Sequence, residues 1–114
     1  IYDVGLNLGQ DTDFYLKKGF RVIAFEADPD NVEFCRKRFA EAVAAEKLII
    51  VPGAISEVSN VSENPAQVKF FRNVNHPLWG STCEDWAYRN EVMGTKNEII
   101  SVDAVDFAEC LEKY

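Results

Sequence analysis

Two carboxylates and a glycine-spaced bend are the residues near the start of the chain with chemistry to offer. Asp3-Val4-Gly5-Leu6-Asn7-Leu8-Gly9 places an acid two residues before the first glycine and an asparagine midway between the two. Seventeen residues beyond Gly9, the apolar run Val22-Ile23-Ala24-Phe25 ends in Glu26. Gly5 and Gly9 lack a Cβ, so the chain can turn sharply there and lie against a ligand. A bend that feeds a helix presents backbone N–H groups without intrahelical partners. An acid about 20 residues further on, at the tip of the next strand, is spaced to accept from the hydroxyl pair of a ribose. The stretch therefore reads as the opening β-α-β of a site for an adenosine-containing cofactor.

The loop also discriminates between cofactors. In the dinucleotide fingerprint Gly-x-Gly-x-x-Gly, Gly5 as the first glycine puts Asn7 second and Gln10 third. The third position needs a glycine so that helix and strand pack closely, and Gln10 is bulky. An acid before the first glycine suits an ammonium group and repels a pyrophosphate. Asp3-x-Gly5-x-Asn7-x-Gly9 instead resembles the acidic-x-Gly-x-Gly-x-Gly loop of Rossmann-like S-adenosylmethionine methyltransferases, with asparagine in the middle slot. An NAD(P)-dependent oxidoreductase on a Rossmann fold is the alternative enzyme class. A non-catalytic Rossmann-like interaction module is the alternative outside enzymes, since a fold alone never establishes activity.

These residues need strands and helices in alternation to hold them. Residues 1–4 read as a buried parallel strand, apolar apart from Asp3. Residues 10–18 read as a helix, with Lys17 and Lys18 in the last turn and Gly19 as its stop. Residues 21–27 form a second strand. Asp28 then caps a helix with Pro29 at its first position, and Val32, Cys35, Phe39 and Val43 make one apolar stripe along a helix reaching about Glu46. Residues 48–51 are a third strand, ending at Pro52-Gly53. Residues 59–66 read as a loop, and residues 67–72 as a strand with Val68 and Phe70 on one face. Residues 73–96 read as irregular and aromatic, with a turn at Gly80-Ser81-Thr82. Residues 98–102 form a last strand, and Asp103 is expected to cap a helix that turns Phe107, Cys110, Leu111 and Tyr114 inward. The fold class is α/β: a Rossmann-like, doubly wound, mostly parallel sheet with flanking helices. Residues 1–114 read as one such domain, stopping short of its C-terminal strands.

Composition narrows the partners. The chain has 114 residues, 47% hydrophobic and 27% charged, which is ordinary globular material. A net charge of −7 without a basic run argues against nucleic acid held on a broad basic face. No apolar stretch approaches the roughly 20 residues of a membrane span. Cys35, Cys83 and Cys110 are odd in number and lack a Cys-x-x-Cys pair, as expected of reduced, structural cysteines in a cytoplasmic protein. Metal ligation has no support, for lack of a His pair, a Cys pair or a calcium-loop spacing.

With the motifs placed, the chain resembles the FkbM family of S-adenosylmethionine-dependent methyltransferases. The resemblance rests on Asp3-Val-Gly5-Leu-Asn7-Leu-Gly9, Phe25-Glu26-Ala27-Asp28-Pro29, Gly53-Ala54-Ile55-Ser56 and Ser101-Val102-Asp103. It implies S-adenosyl-L-methionine as cofactor and O-methylation of a saccharide or other small hydroxylated acceptor; charge and the lack of a long apolar stretch add no nucleic acid and no membrane as partner. A Lys-Ile-Asp-x-Glu-Gly segment that the family usually carries is absent. Asp3, directly or through water, would hold the methionyl ammonium, and Gly5, Asn7 and Gly9 would let the backbone pass beside the methionyl and ribose portions. Glu26, followed by Ala27, would take the ribose hydroxyls, and Ala54 and Ile55 would flank the adenine.

Plainer roles stand beside these. Asp3 also reads as a cap for the following turn, Glu26 as a solvated strand-end acid, and Ala54-Ile55 as core. His76 is the lone histidine and a candidate base, although a single loop histidine is more often a surface residue. Trp79, Trp86 and Tyr88 either line an acceptor pocket or anchor their own loop. The catalytic residue and the oligomeric state are not legible in the sequence.

Overall fold

A computed structural model describes residues 1–56, 67–75 and 80–114. His76, Trp79 and the expected loop at 59–66 lie outside the described residues. The elements in chain order are β1 (Tyr2–Val4), α1 (Gln10–Lys17), β2 (Val22–Glu26), α2 (Pro29–Arg38), α3 (Ala40–Ala44), β3 (Leu48–Pro52), β4 (Ala54–Ile55), β5 (Gln67–Asn73), α4 (Glu84–Val92), β6 (Asn97–Val105) and α5 (Phe107–Lys113).

Strands β1, β2 and β3 form a parallel sheet in that order. Asp3 lies opposite Ala24, and Glu26 opposite Pro52. Successive parallel strands need a crossover, and α1 and then α2 with α3 supply it. A second sheet has the order β4-β6-β5, with β4 parallel and β5 antiparallel to β6. The mixed α/β architecture with a parallel sheet and flanking helices is compatible with a Rossmann-like fold, as the alternation of apolar runs predicts. Among the described residues, no helix is long and apolar enough to cross a membrane.

The central strand β2 is buried at all five positions, so its side chains feed two cores. Val22 and Ala24 join Leu6, Cys35, Phe39 and Leu48 on the face covered by α1, α2 and α3. Ile23 and Phe25 join Val105 on the other face, where Phe107, Cys110 and Tyr114 of the α5 segment pack. Phe25 and Phe107 meet edge-on at 5.5 Å, and Tyr2 meets Phe107 edge-on at 5.9 Å. Fully burying a ring such as Phe25 is worth about 1.5–3 kcal/mol. Covering both faces of the sheet is what holds the strand tips, and with them the glycine bend and Glu26, at one end.

Several local expectations change. In β1 the burial pattern is inverted: Asp3 is buried while Tyr2 and Val4 are exposed, because β1 is an edge strand of the described sheet. The long helix to Glu46 is two helices, broken at Phe39 (φ −109, ψ 30). That dihedral rotates the next turn, so Val43 leaves the stripe and is exposed, while Val32, Cys35 and Phe39 are buried. In β5 the buried pair is Phe71 and Asn73, with Val68 and Phe70 half-buried on the other face. The stretch expected to be irregular contains α4, whose Trp86 and Tyr88 are exposed. Asp103 is a strand residue, and its carboxylate accepts from Gln67 Nε2 across the β5–β6 pair. Asp106 is the cap of α5 instead, accepting from the Glu109 N–H at 3.2 Å. Leu111, expected inward, is exposed.

Candidate functional site

The bend after β1 is built by backbone geometry. The N–H groups of Gly5 and Leu6 both donate to the Phe25 carbonyl, at 2.9 and 3.0 Å, so the bend folds onto the tip of β2. Gly5, Asn7 and Gly9 all have positive φ, at 84, 52 and 89 degrees. Asparagine is among the few side chains that tolerate this region, and Asn7 is held there by α2. Asn31 Nδ2 donates to Asn7 Oδ1 (3.3 Å), Cys35 Sγ to the Asn7 carbonyl (3.2 Å), and Arg38 Nη1 to the Leu8 carbonyl (2.7 Å). Residues 31, 35 and 38 share one helix face at spacings of four and three. The middle-slot asparagine thus accepts a side-chain hydrogen bond that a glycine cannot.

Glu26 closes the arrangement. Its Oε2 accepts from the Asn7 N–H at 2.6 Å, and its Oε1 from the Asp28 N–H at 2.8 Å. It is therefore no solvated strand-end acid: the residue is 7% exposed. Burial pushes its carboxyl above the ordinary range, against the opposing pull of the backbone N–H bonds. A carboxylate has about four acceptor sites, so some capacity remains beyond the backbone N–H groups of Asp28, Asn7 and Ala27 that act on it. Asp28 accepts from the Asp30 N–H at 2.9 Å, which with Pro29 starts α2 as the sequence predicts.

Gly5, Asn7, Glu26, Ala27, Ala54 and Ile55 line one cavity of about 330 Å³. Six of the eight residues singled out in the sequence are thereby brought together. Asp3 and Gly9 are not in that lining. Asp3 Oδ2 accepts from Thr12 Oγ1 at 2.6 Å, inside the first turns of α1, and burial raises its carboxyl above the usual range. Gly9 faces away, toward α2: a Cβ built there would lie 2.4 Å from Phe39 Cε2. Trp86 and Tyr88 do not line the cavity either.

The sequence places Phe70 on a strand and Gly80-Ser81-Thr82 in a turn, but assigns neither to the site. Phe70, Gly80, Ser81 and Thr82 supply the opposite wall, and Asn31 joins from α2. Phe71 and Ser81 exchange both backbone bonds, at 2.7 and 3.1 Å, which fixes residues 80–82 beside β5. Only Asn31 was within reach of pattern reading, through its place on the face of Cys35 and Arg38. The cavity combines a carboxylate with spare acceptor capacity, amide and hydroxyl groups, and apolar sides from Phe25, Ala54, Ile55 and Phe70. Chemically, the acid can accept from hydroxyl groups and the apolar sides can cover a flat ring.

Over 58 residues, 51% of its length, the chain is 41% identical to "Probable ribosomal RNA small subunit methyltransferase A" of Haloarcula marismortui. It is similar to a methyltransferase. The matched stretch spans only 20% of that relative. No family model matches the chain, and no solved structure matches it. The likeness overturns the expectation of a small-molecule acceptor without nucleic acid, because the relative is named for ribosomal RNA. Net charge is a sum over a whole surface, whereas recognition of RNA needs only a local patch.

Proposed function

We propose that the chain binds S-adenosyl-L-methionine in this cavity and forms the cofactor-binding part of a methyltransferase acting on RNA. The observation that carries the reading is the meeting of the glycine bend with Glu26 at one cavity, joined by the bond from the Asn7 N–H. The likeness to a methyltransferase supports the reaction class, and the RNA in that relative's name supports the acceptor. The resemblance to the FkbM family lends its support to the cofactor alone.

The residues fit the cofactor's parts. Glu26 accepts from the ribose hydroxyls with its remaining lone pairs, and its negative charge disfavours a phosphate there. Gly5 and Asn7 bring the bend alongside the methionyl chain. Asp3, braced by Thr12, sets negative charge behind the bend, where an ammonium is drawn. Ala54 and Ile55 flank the adenine, and Ala27 borders it beside Glu26. The cofactor supplies a sulfonium methyl group, and the chain supplies position and electrostatics.

Titration calorimetry with S-adenosylhomocysteine tests the cofactor. Binding is expected with the folded protein, and Glu26→Ala is expected to lose most of the affinity. No heat at millimolar ligand, or tight NADH binding in its place, overturns the reading. Transfer of a labelled methyl group to RNA by the whole protein tests the acceptor, and label on small hydroxylated compounds alone refutes it.

A further inference from the structure

Arg72 stands outside the cavity lining yet reaches its frame. From β5, its Nη2 donates to Asp28 Oδ1 at 2.9 Å and its Nη1 to Asp30 Oδ2 at 3.1 Å. Glu98 Oε2 lies 3.7 Å from Nη1. The Arg72 and Asp28 side chains are 22% and 13% exposed, so the pair is partly shielded from water. Among the described residues, Arg72 Nε is buried without a hydrogen-bond partner. A planar guanidinium forks across two carboxylates in a way that an ammonium cannot.

What Arg72 grips is the residue that orients Glu26. Asp28 Oδ1 accepts from both Arg72 Nη2 and the Asp30 N–H. The Asp28 backbone N–H donates to Glu26 Oε1, while Glu26 Oε2 takes the Asn7 N–H. A continuous run of hydrogen bonds therefore leads from β5, through the start of α2, to the glycine bend. Arg72 and Asp28 are 44 residues apart in sequence, so no local preference brings them together.

We propose that Arg72 is a positioning residue, fixing Asp28 and through it the Glu26 carboxylate. The inference rests on the reading of Glu26 as the ribose acceptor. It makes β5 a brace for the cofactor site, although β5 belongs to the second sheet.

Amide hydrogen exchange without any cofactor, paired with S-adenosylhomocysteine titration, tests this on Arg72→Met and Arg72→Lys in the full chain. Arg72→Met is expected to speed exchange at Asn7 and Asp28 roughly tenfold over any change at Ile23 and Ala24 in β2. It is expected to weaken ligand binding by roughly tenfold, with Arg72→Lys between it and wild type. Unchanged exchange at Asn7 and Asp28, or a rise no greater than in β2, overturns the proposal. So does wild-type affinity in Arg72→Met. If Arg72→Met does not fold, Arg72→Lys decides: faster exchange at Asp28 supports the brace and wild-type exchange overturns it. A wild-type protein that binds no S-adenosylhomocysteine sinks the cofactor reading alone, because the exchange data still report on the Arg72–Asp28–Glu26 link.

Discussion

Gly9→Ala and Gly5→Ala are the same chemical change at the same sign of φ, and the structure predicts different costs. The two residues sit at φ +84 and +89, where a Cβ costs about 1–2 kcal/mol. At Gly5 no atom of the described residues beyond its chain neighbours lies within 4 Å of the new methyl group, so the backbone term stands alone. At Gly9 the methyl would meet Phe39 Cε2 at 2.4 Å, Phe39 Cζ at 2.8 Å and Cys35 Sγ at 3.4 Å. Carbon atoms prefer separations of roughly 3.5–4.0 Å, so the ring must retreat by about 1 Å. Phe39 is 8% exposed and belongs to the core under α1, which leaves it little room. Overpacking of that kind costs about 1–3 kcal/mol. The loss of unfolded-state freedom is common to both variants and drops out of the comparison. Gly9→Ala is thus expected to fall below Gly5→Ala by about 1–3 kcal/mol in urea unfolding at constant slope. Phe39→Ala should cost less in the Gly9→Ala background than in the wild type, as a coupling between neighbours. Equal stabilities for the two glycine variants would refute the assignment of Gly9 to packing.

Glu26→Gln offers one carbonyl oxygen where the carboxylate has two. One of the Asn7 and Asp28 N–H groups then faces an amide NH2, at a cost of about 1–3 kcal/mol that relief of charge burial partly offsets. Urea unfolding checks it, and wild-type stability in the variant would contradict the double acceptance. Burial raises the carboxyls of Glu26 and Asp3 above their ordinary 4.5 and 3.8. Their contribution is therefore fully present below those ordinary values and is lost as pH rises through the folded ones. Asp3→Asn, which keeps an acceptor for Thr12, should flatten that fall in a pH series of unfolding curves. Asp13, held low by its hydrogen bond to Lys17, runs the other way and loses its contribution as pH falls. Among the thiols, Cys83 is exposed, whereas Cys35 is buried and pushed to about 11. Ellman's reagent should show a fast phase that Cys83→Ser removes, with Cys35 reacting only on unfolding.

The first half of the fold was legible because its signals are local. The glycine bend, the lysines before Gly19 and the Asp28-Pro29 start each mark a boundary without help from distant residues. The break at Phe39 was not, because that dihedral goes with the seating of a ring against Gly9, thirty residues earlier. Helix α4 escaped because Cys83 makes no side-chain cap and the aromatic residues Trp86 and Tyr88 point outward, leaving Ala87 and Asn90 as its buried face. Glu84 and Asp85 in its first turn, with Gly94 beyond its end, were the available clues. Asp103 was mistaken for a cap because β6 carries a polar residue on its exposed face, while Asp106 with Glu109 three residues on is the true start. At the site, spacing alone brought Glu26 to the bend. The wall from Phe70 and residues 80–82 could not be read, since only the sheet pairing carries it there.

The double duty of the Glu26 carboxylate bears on how its relatives should be judged. A protein that had given up catalysis would still need two acceptors at that point to keep its bend and its second helix in place. An acid retained there in another sequence would thus testify to the architecture rather than to a working enzyme. The better witness to activity is whatever faces the spare lone pairs, because nothing in the scaffold itself demands that those remain accessible.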